Sequence, residues 1–186
     1  MNVKEKIYHY TDVPKKRQYL IERLRQIYPT TDEKEISRIL DSIKIIFREQ
    51  KERGASNHKK MTVYLPLHDF EKFHIKNEKD VLNYINNPKS TVTHETVHIF
   101  QNLANAFPHV QYLEPSKDEE EKFEINYEKY LNDPGEKQSR LEQVRELLNW
   151  GFTNDEIIRF LYNRNHDDRD LWDRIVDRAI TLKEGE

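Results

Sequence analysis

Apolar positions along this chain recur mostly at helical spacing, with one clear stretch at strand spacing. Pro14 opens a predicted helix to about Ile27, with Leu20, Leu24 and Ile27 on one face, and Pro29 stops it. Thr30-Thr31-Asp32-Glu33 is a helix start of the capping-box type. The stripe Ile36, Ile39, Leu40, Ile43, Ile46 and Phe47 predicts a long helix down to about Glu52, broken by residues 54–57. Residues 61–67 alternate with period two, as a half-buried strand does. Pro66 has no N–H for a ladder, which predicts a sheet edge there. Residues 6–11 and 109–113 are expected as further short strands.

A short helix is predicted over 79–85, with Val81, Leu82 and Ile85 inward. Ser90 or Thr91 can cap the next one, which carries Val92, Thr96, Ile99, Phe100, Leu103 and Phe107 and ends near Ala106, before Pro108. An acidic helix is expected from Asp118 to Tyr130. Another runs from Pro134 to Trp150, with Leu141, Val144, Leu147 and Leu148 inward and Gly151 as its stop. Thr153-Asn-Asp-Glu156 starts a helix with Ile157, Ile158 and Leu161, and residues 168–182 form the last, with Trp172, Val176 and Ala179. The fold class expected is α+β and α-rich, as a single domain over 1–186. A helical basic front section fills 1–60, and 61–186 hold the functional core.

Charged residues make up 35% of the chain and the mean hydropathy is −1.00, so the surface is very polar. No apolar run approaches the ~20 residues of a membrane span, and the first residues lack a signal-peptide core. A cytoplasmic protein with no membrane association is expected. Zero cysteines exclude disulfides, thiolate metal sites and cysteine nucleophiles. Residues 1–60 carry 15 Lys/Arg against 9 Asp/Glu, and the remainder 16 against 25. That front surplus, with Lys15, Lys16, Lys59 and Lys60, could dock an acidic partner or nucleic acid, or be only the solvated face of amphipathic helices. A non-catalytic interaction protein is therefore the competing class.

The chemistry concentrates in His94-Glu95-Thr96-Val97-His98, an H-E-x-x-H. On a helix the two imidazoles lie four residues apart on one face, close enough to hold one ion. Glu95 sits about 100° further round and can take a proton from bound water. Two neutral imidazoles and a carboxylate base suit a zinc peptidase. A catalytic Zn²⁺ wants a third protein ligand. The metzincin continuation fails, because Gln101 and Ala104 stand where Gly and His belong. Glu114, Glu124, Glu128, Glu136 and His109 remain as third-ligand candidates.

The stretch from Tyr130 through Asp133-Pro134 to Glu136 and Arg140 resembles the gluzincin zinc metallopeptidases, small bacterial and phage-type members in particular. In these, H-E-x-x-H is completed by a Glu on a later helix. The resemblance covers about residues 90–107 and 127–145. It implies a zincin-like domain with a small sheet, an active-site helix and a helical C-terminal part. It also implies Zn²⁺ as cofactor, His94, His98 and Glu136 as ligands, Glu95 as general base, and a protein or peptide substrate. One departure stands out: Arg140 occupies the position where thermolysin-like members place an Asp that orients a ligand His. Glu136 also has a plain structural reading, as the third helical residue of a capping box with Asp133 and Pro134. Tyr112, Tyr127, Tyr130 and His166 are candidate donors to a developing oxyanion.

Overall fold

The chain is extended at Tyr8–His9 (β1) and enters α1, Pro14–Ile27, at a proline whose missing N–H costs nothing in a first helical turn. The computed structural model describes residues 2–108, 110–162 and 168–185. The long helix expected over 33–52 is instead two elements, α2 at Glu33–Ser42 and β2 at Lys44–Arg48. Ile43, Ile45 and Phe47 are buried while Lys44 and Arg48 are exposed, a period of two. The same residues also fit a helical stripe, and a short β-branched run takes whichever state its neighbours support. Ser42 Oγ donates to the Ile39 carbonyl at 2.7 Å, and Ile43 turns extended at ψ 130°, which closes α2.

Two compact units make up the chain, Met1–Ile99 and Phe100–Glu186. The first holds β3 (Ala55–Asn57), β4 (Thr62–Pro66), the single turn α3 (Asp69–Lys72) and α4 (Glu78–Asn86). Its sheet has the order β1-β2-β4-β3, with β2 and β4 parallel and the outer pairs antiparallel. The strand predicted over 61–67 is thus present as β4 but lies inside the sheet, and β3 is the edge. Pro66 is tolerated there because the Leu67 N–H donates to the Arg48 carbonyl, so the Pro66 nitrogen points to the other side. On that side β3 reaches only Tyr64. The register puts Ile45 beside Val63 and Phe47 beside Leu65, all buried. Leu20, Leu24, Ile36, Leu40, Val81 and Ile85 join this core from the helices.

Asp69 is 5% exposed and accepts a hydrogen bond from the Tyr84 hydroxyl, which ties α3 to α4. Burial pushes the Asp69 carboxyl above its ordinary value, and the Tyr84 hydroxyl opposes the rise. Several front-section cations have acidic partners: Arg17 with Asp41 at 2.7 Å, Lys6 with Glu78, and Arg38 with Glu35.

The second unit contains α6 (Glu119–Asn132), α7 (Pro134–Asn149), α8 (Asn154–Leu161) and α9 (Arg169–Glu184). Val144, Leu147, Ile157, Ile158, Leu161, Trp172, Val176 and Ala179 form its own buried cluster. Thr153 and Glu156 make the predicted capping box of α8, and Gly151, at φ 93°, ends α7 in the left-handed region. Residues 110–113 are not a strand, and His109 lies outside the described residues. Among the described residues no helix is long and apolar enough to cross a membrane.

Tyr84→Phe removes the hydroxyl from the buried Asp69. Folding favours the protonated Asp69, so its contribution to stability is full below the unfolded carboxyl range and falls as pH rises through the raised folded value. The variant lifts that value further. Its cost is expected to be small near pH 4 and to reach about 1.5–3 kcal/mol near neutrality, read by urea unfolding at the two pH values.

Candidate metal centre

The H-E-x-x-H motif lies on α5, Val92–Leu103. Val92, Thr93, His94, Glu95, Thr96 and Val97 are all 8% exposed or less, so this part of the helix is enclosed on every side. Three of its polar side chains, Thr93, His94 and Thr96, have polar neighbours. Thr96 shares a hydrogen bond with the Tyr10 hydroxyl, and the Lys16 ammonium approaches Thr93 Oγ1 at 3.4 Å. Lys16 is itself 1% exposed, so of Lys15, Lys16, Lys59 and Lys60 this one is internal and no part of a docking surface. The helix stops at Leu103, three residues before the expected end, and Asn105 takes the left-handed conformation (φ 49°) that often follows a helix. Leu103, one of the apolar residues that predict the helix, is 43% exposed.

His94 Nε2 and His98 Nε2 are 3.1 Å apart, with ring planes at 71°. Two Zn–N bonds of about 2.05 Å spanning that distance would subtend about 98°, between octahedral and tetrahedral angles. The same stripe continues to Gln101, three residues past His98. Gln101 is 6% exposed, and its amide nitrogen reaches the Gly135 carbonyl at 2.9 Å and Gln138 Oε1 at 2.8 Å. A Cβ at Gly135 would lie 3.0 Å from Gln101 Oε1, so the glycine permits the first turn of α7 to come close. Glu136 is the next residue. His94, His98 and Glu136 each offer a ligand atom, and these atoms lie within 4.8 Å of one another. The donor set fits a divalent ion.

Only half of the capping reading of Glu136 is present. Asp133 caps α7 by accepting from the Gly135 N–H at 2.8 Å, but its own N–H donates to the Tyr130 carbonyl rather than to Glu136. Glu114, Glu124 and Glu128 are exposed, and none joins a metal-ligating group among the described residues. Neither do His9, His58, His68 and His74, while His109 and His166 fall outside the described residues. Of the candidate oxyanion donors, Tyr130 has its ring centroid 4.3 Å from the Arg140 guanidinium carbon, and Tyr112 lies in the field of Asp133 and Glu136. Burial, then Glu136, raise the Tyr130 hydroxyl above its ordinary range, with Arg140 opposing. Tyr127 is pushed up to about 12 by burial and by Asp168.

Glu95 is 8% exposed and lies against Gly54, the residue before β3. A Cβ at Gly54 would stand 2.2 Å from Thr91 Oγ1 and 3.0 Å from Glu95 Cγ. Thr91 Oγ1 also donates to the Arg53 carbonyl at 3.1 Å, which holds this loop on the start of α5. Sequence reasoning missed Gln101 and Gly54. Gln101 carried a signal, its spacing of three from His98. Gly54 carried only that of a helix breaker.

His94→Ala and His98→Ala are each expected to weaken Zn²⁺ binding about 100-fold or more, since a four-ligand zinc site totals about 10–16 kcal/mol. Competition against a chromophoric chelator measures this. Gly54→Ala is expected to cost about 1–3 kcal/mol by overpacking, and Thr91→Ala in the same chain to recover part of it, both read by denaturant unfolding. No family model, no curated protein and no solved structure matches this chain.

Proposed function

We propose that this chain is a zinc-dependent metallopeptidase that hydrolyses peptide bonds, in a zincin-like arrangement of small sheet and active-site helix. The observation that carries the reading is the convergence of one ligand atom each from His94, His98 and Glu136. Two imidazole nitrogens and one carboxylate suit Zn²⁺ better than Mg²⁺ or Ca²⁺, which prefer all-oxygen sites. An ion held there supplies Lewis-acid polarisation of the scissile carbonyl and a more acidic water.

The protein's own contribution starts with Glu95. Next in sequence to a ligand and shielded by Gly54, its carboxylate accepts a proton from the attacking water as the new C–O bond forms. It then returns that proton to the leaving nitrogen as the C–N bond breaks. Tyr112 is the more accessible of the nearby hydroxyls, at 47% exposed, and is the candidate donor to the oxyanion. The outer edge of β3 begins one residue after Gly54, so an extended peptide added to that edge would run past Glu95.

The competing reading is an interaction module that uses its basic front section for an acidic partner or nucleic acid, with Lys15, Lys59 and Lys60 exposed for it. Lys16 is internal, and Arg17, Arg38 and Lys6 already face acids.

Glu95→Gln is expected to keep Zn²⁺ at wild-type stoichiometry and to lower peptide hydrolysis by about 10²–10⁴-fold. Elemental analysis and cleavage of a casein or peptide-library substrate measure the two. Wild-type turnover in that variant, or a zinc-loaded wild type that cuts no peptide in the library, would count against the reading.

A further inference from the structure

The basic surplus of the first 60 residues divides into cations that meet acids and cations that do not. Lys6, Arg17, Arg25 and Arg38 face carboxylates, and Lys16 is internal. A different group gathers around the edge of the sheet. Residues 48–60 hold five Lys or Arg against two Glu, and β3 lies within that run. Lys51 and Arg53 precede the strand, Lys59 and Lys60 follow it, and all four are exposed. None of the four forms an ion pair among the described residues. Asp69, whose field reaches Arg53, is buried and already bonded to Tyr84.

The strand between these cations, Ala55–Asn57, carries no charge of its own. It ends the order β1-β2-β4-β3 and, among the described residues, pairs only with β4. Its outer N–H and C=O groups can take a further extended chain, and backbone pairing of that kind accepts any sequence. Charges at the two ends of the strand are what give such a chain a preferred composition. Three strand residues span about 10 Å, so acids about three to five residues apart on a bound peptide reach both groups. The same place adjoins the general base. A Cβ at Gly54 would lie 3.0 Å from Glu95 Cγ, and Thr91 Oγ1 holds the Arg53 carbonyl at 3.1 Å. All of these residues belong to the first compact unit. A single-stranded nucleic acid fits this edge less well, because its bases want open aromatic faces. Tyr64, which pairs with Ala55, is only half-exposed and has the Arg48 guanidinium 3.7 Å from its ring centroid.

We propose that the β3 edge, with Arg53, Lys59 and Lys60, is a specificity surface for extended acidic peptides. The inference rests on the peptidase reading above and names the substrate class of that same site.

The test uses the full chain as Glu95→Gln, which holds a peptide without cutting it. The probes are fluorescent extended peptides that differ only in carrying Glu or Gln at the flanking positions. Binding is read by anisotropy at low and at physiological salt, and melting checks folding. At low salt the Glu peptide should bind about 10-fold more tightly than the Gln peptide, since each exposed charge pair contributes about 1.5–5-fold. Added salt should erode that preference. Lys59→Gln with Lys60→Gln, and separately Arg53→Gln, should each reduce it about 3-fold and leave the Gln peptide unaffected. Removing two cations from α9 instead, by Arg178→Gln with Lys183→Gln, should change it less than about two-fold. Equal affinity for the two peptides overturns the inference, and so does an equal effect of the α9 variant. Tighter binding of both peptides after loss of Lys59 and Lys60 also overturns it, since the lysines would then be guarding the edge against pairing. Oligothymidylate that binds more tightly than the Glu peptide overturns it in favour of a nucleic acid. Cleavage by the zinc-loaded wild type is scored separately. Cleavage without an acid preference removes this inference alone, and an acid preference without cleavage removes the peptidase reading alone.

Discussion

A helical segment enclosed on every side favours a partner for each polar group it carries, and the first half of α5 is shaped by that requirement. Residues 92–97 include two threonines, a histidine and a glutamate, all nearly or fully buried. A stretch of such composition has no reason to be interior unless its side chains are used. Thr96 meets Tyr10, Thr93 meets Lys16, and His94 turns its Nε2 to that of His98. These contacts fix the rotation of the helix about its axis. Its rotation, more than its position along the chain, decides where the two imidazoles point.

The same helix also makes contact with α7. Gln101 continues the stripe of His94 and His98, and its buried amide finds acceptors in the first turns of α7. An unsatisfied amide there would cost roughly 1–3 kcal/mol, so the contact is strongly favoured over a solvated alternative. Glu136 follows one residue past the glycine that lets Gln101 approach the first turn of α7. The Asp133 cap and Pro134 start α7 without drawing on the Glu136 carboxylate. Local capping chemistry and site chemistry are thus divided between neighbouring residues.

The second unit contributes stiffness. Its cluster of aliphatic residues around Trp172 is a small core in its own right, and α7 and α9 both contribute to it. Fully burying each such side chain is worth about 1.5–3 kcal/mol, which holds α7 in place. Arg140 extends that packing to Tyr130, its guanidinium carbon 4.3 Å from the ring centroid.

Much of this was legible in the residues themselves. Pro14, Asp133-Pro134, Gly151 and Thr153 with Glu156 mark helix ends through chemistry local to each, and the ends lie where they predict. The four-residue spacing of His94 and His98 needs only a helix to become a facing pair. What lay beyond the sequence depended on partners distant in the chain. Residues 43–47 satisfy two periodicities, and only pairing with Tyr8–His9 on one side and β4 on the other makes them a strand. Pro66 signalled an edge, but β3 is too short to need its N–H, so β4 is interior and β3 takes the edge. The choice of Glu136 over Glu114, Glu124 and Glu128 was of the same kind. Acidic residues on a polar chain are interchangeable to a sequence pattern, and only the fold groups one of them with the histidines as a set that could hold a metal.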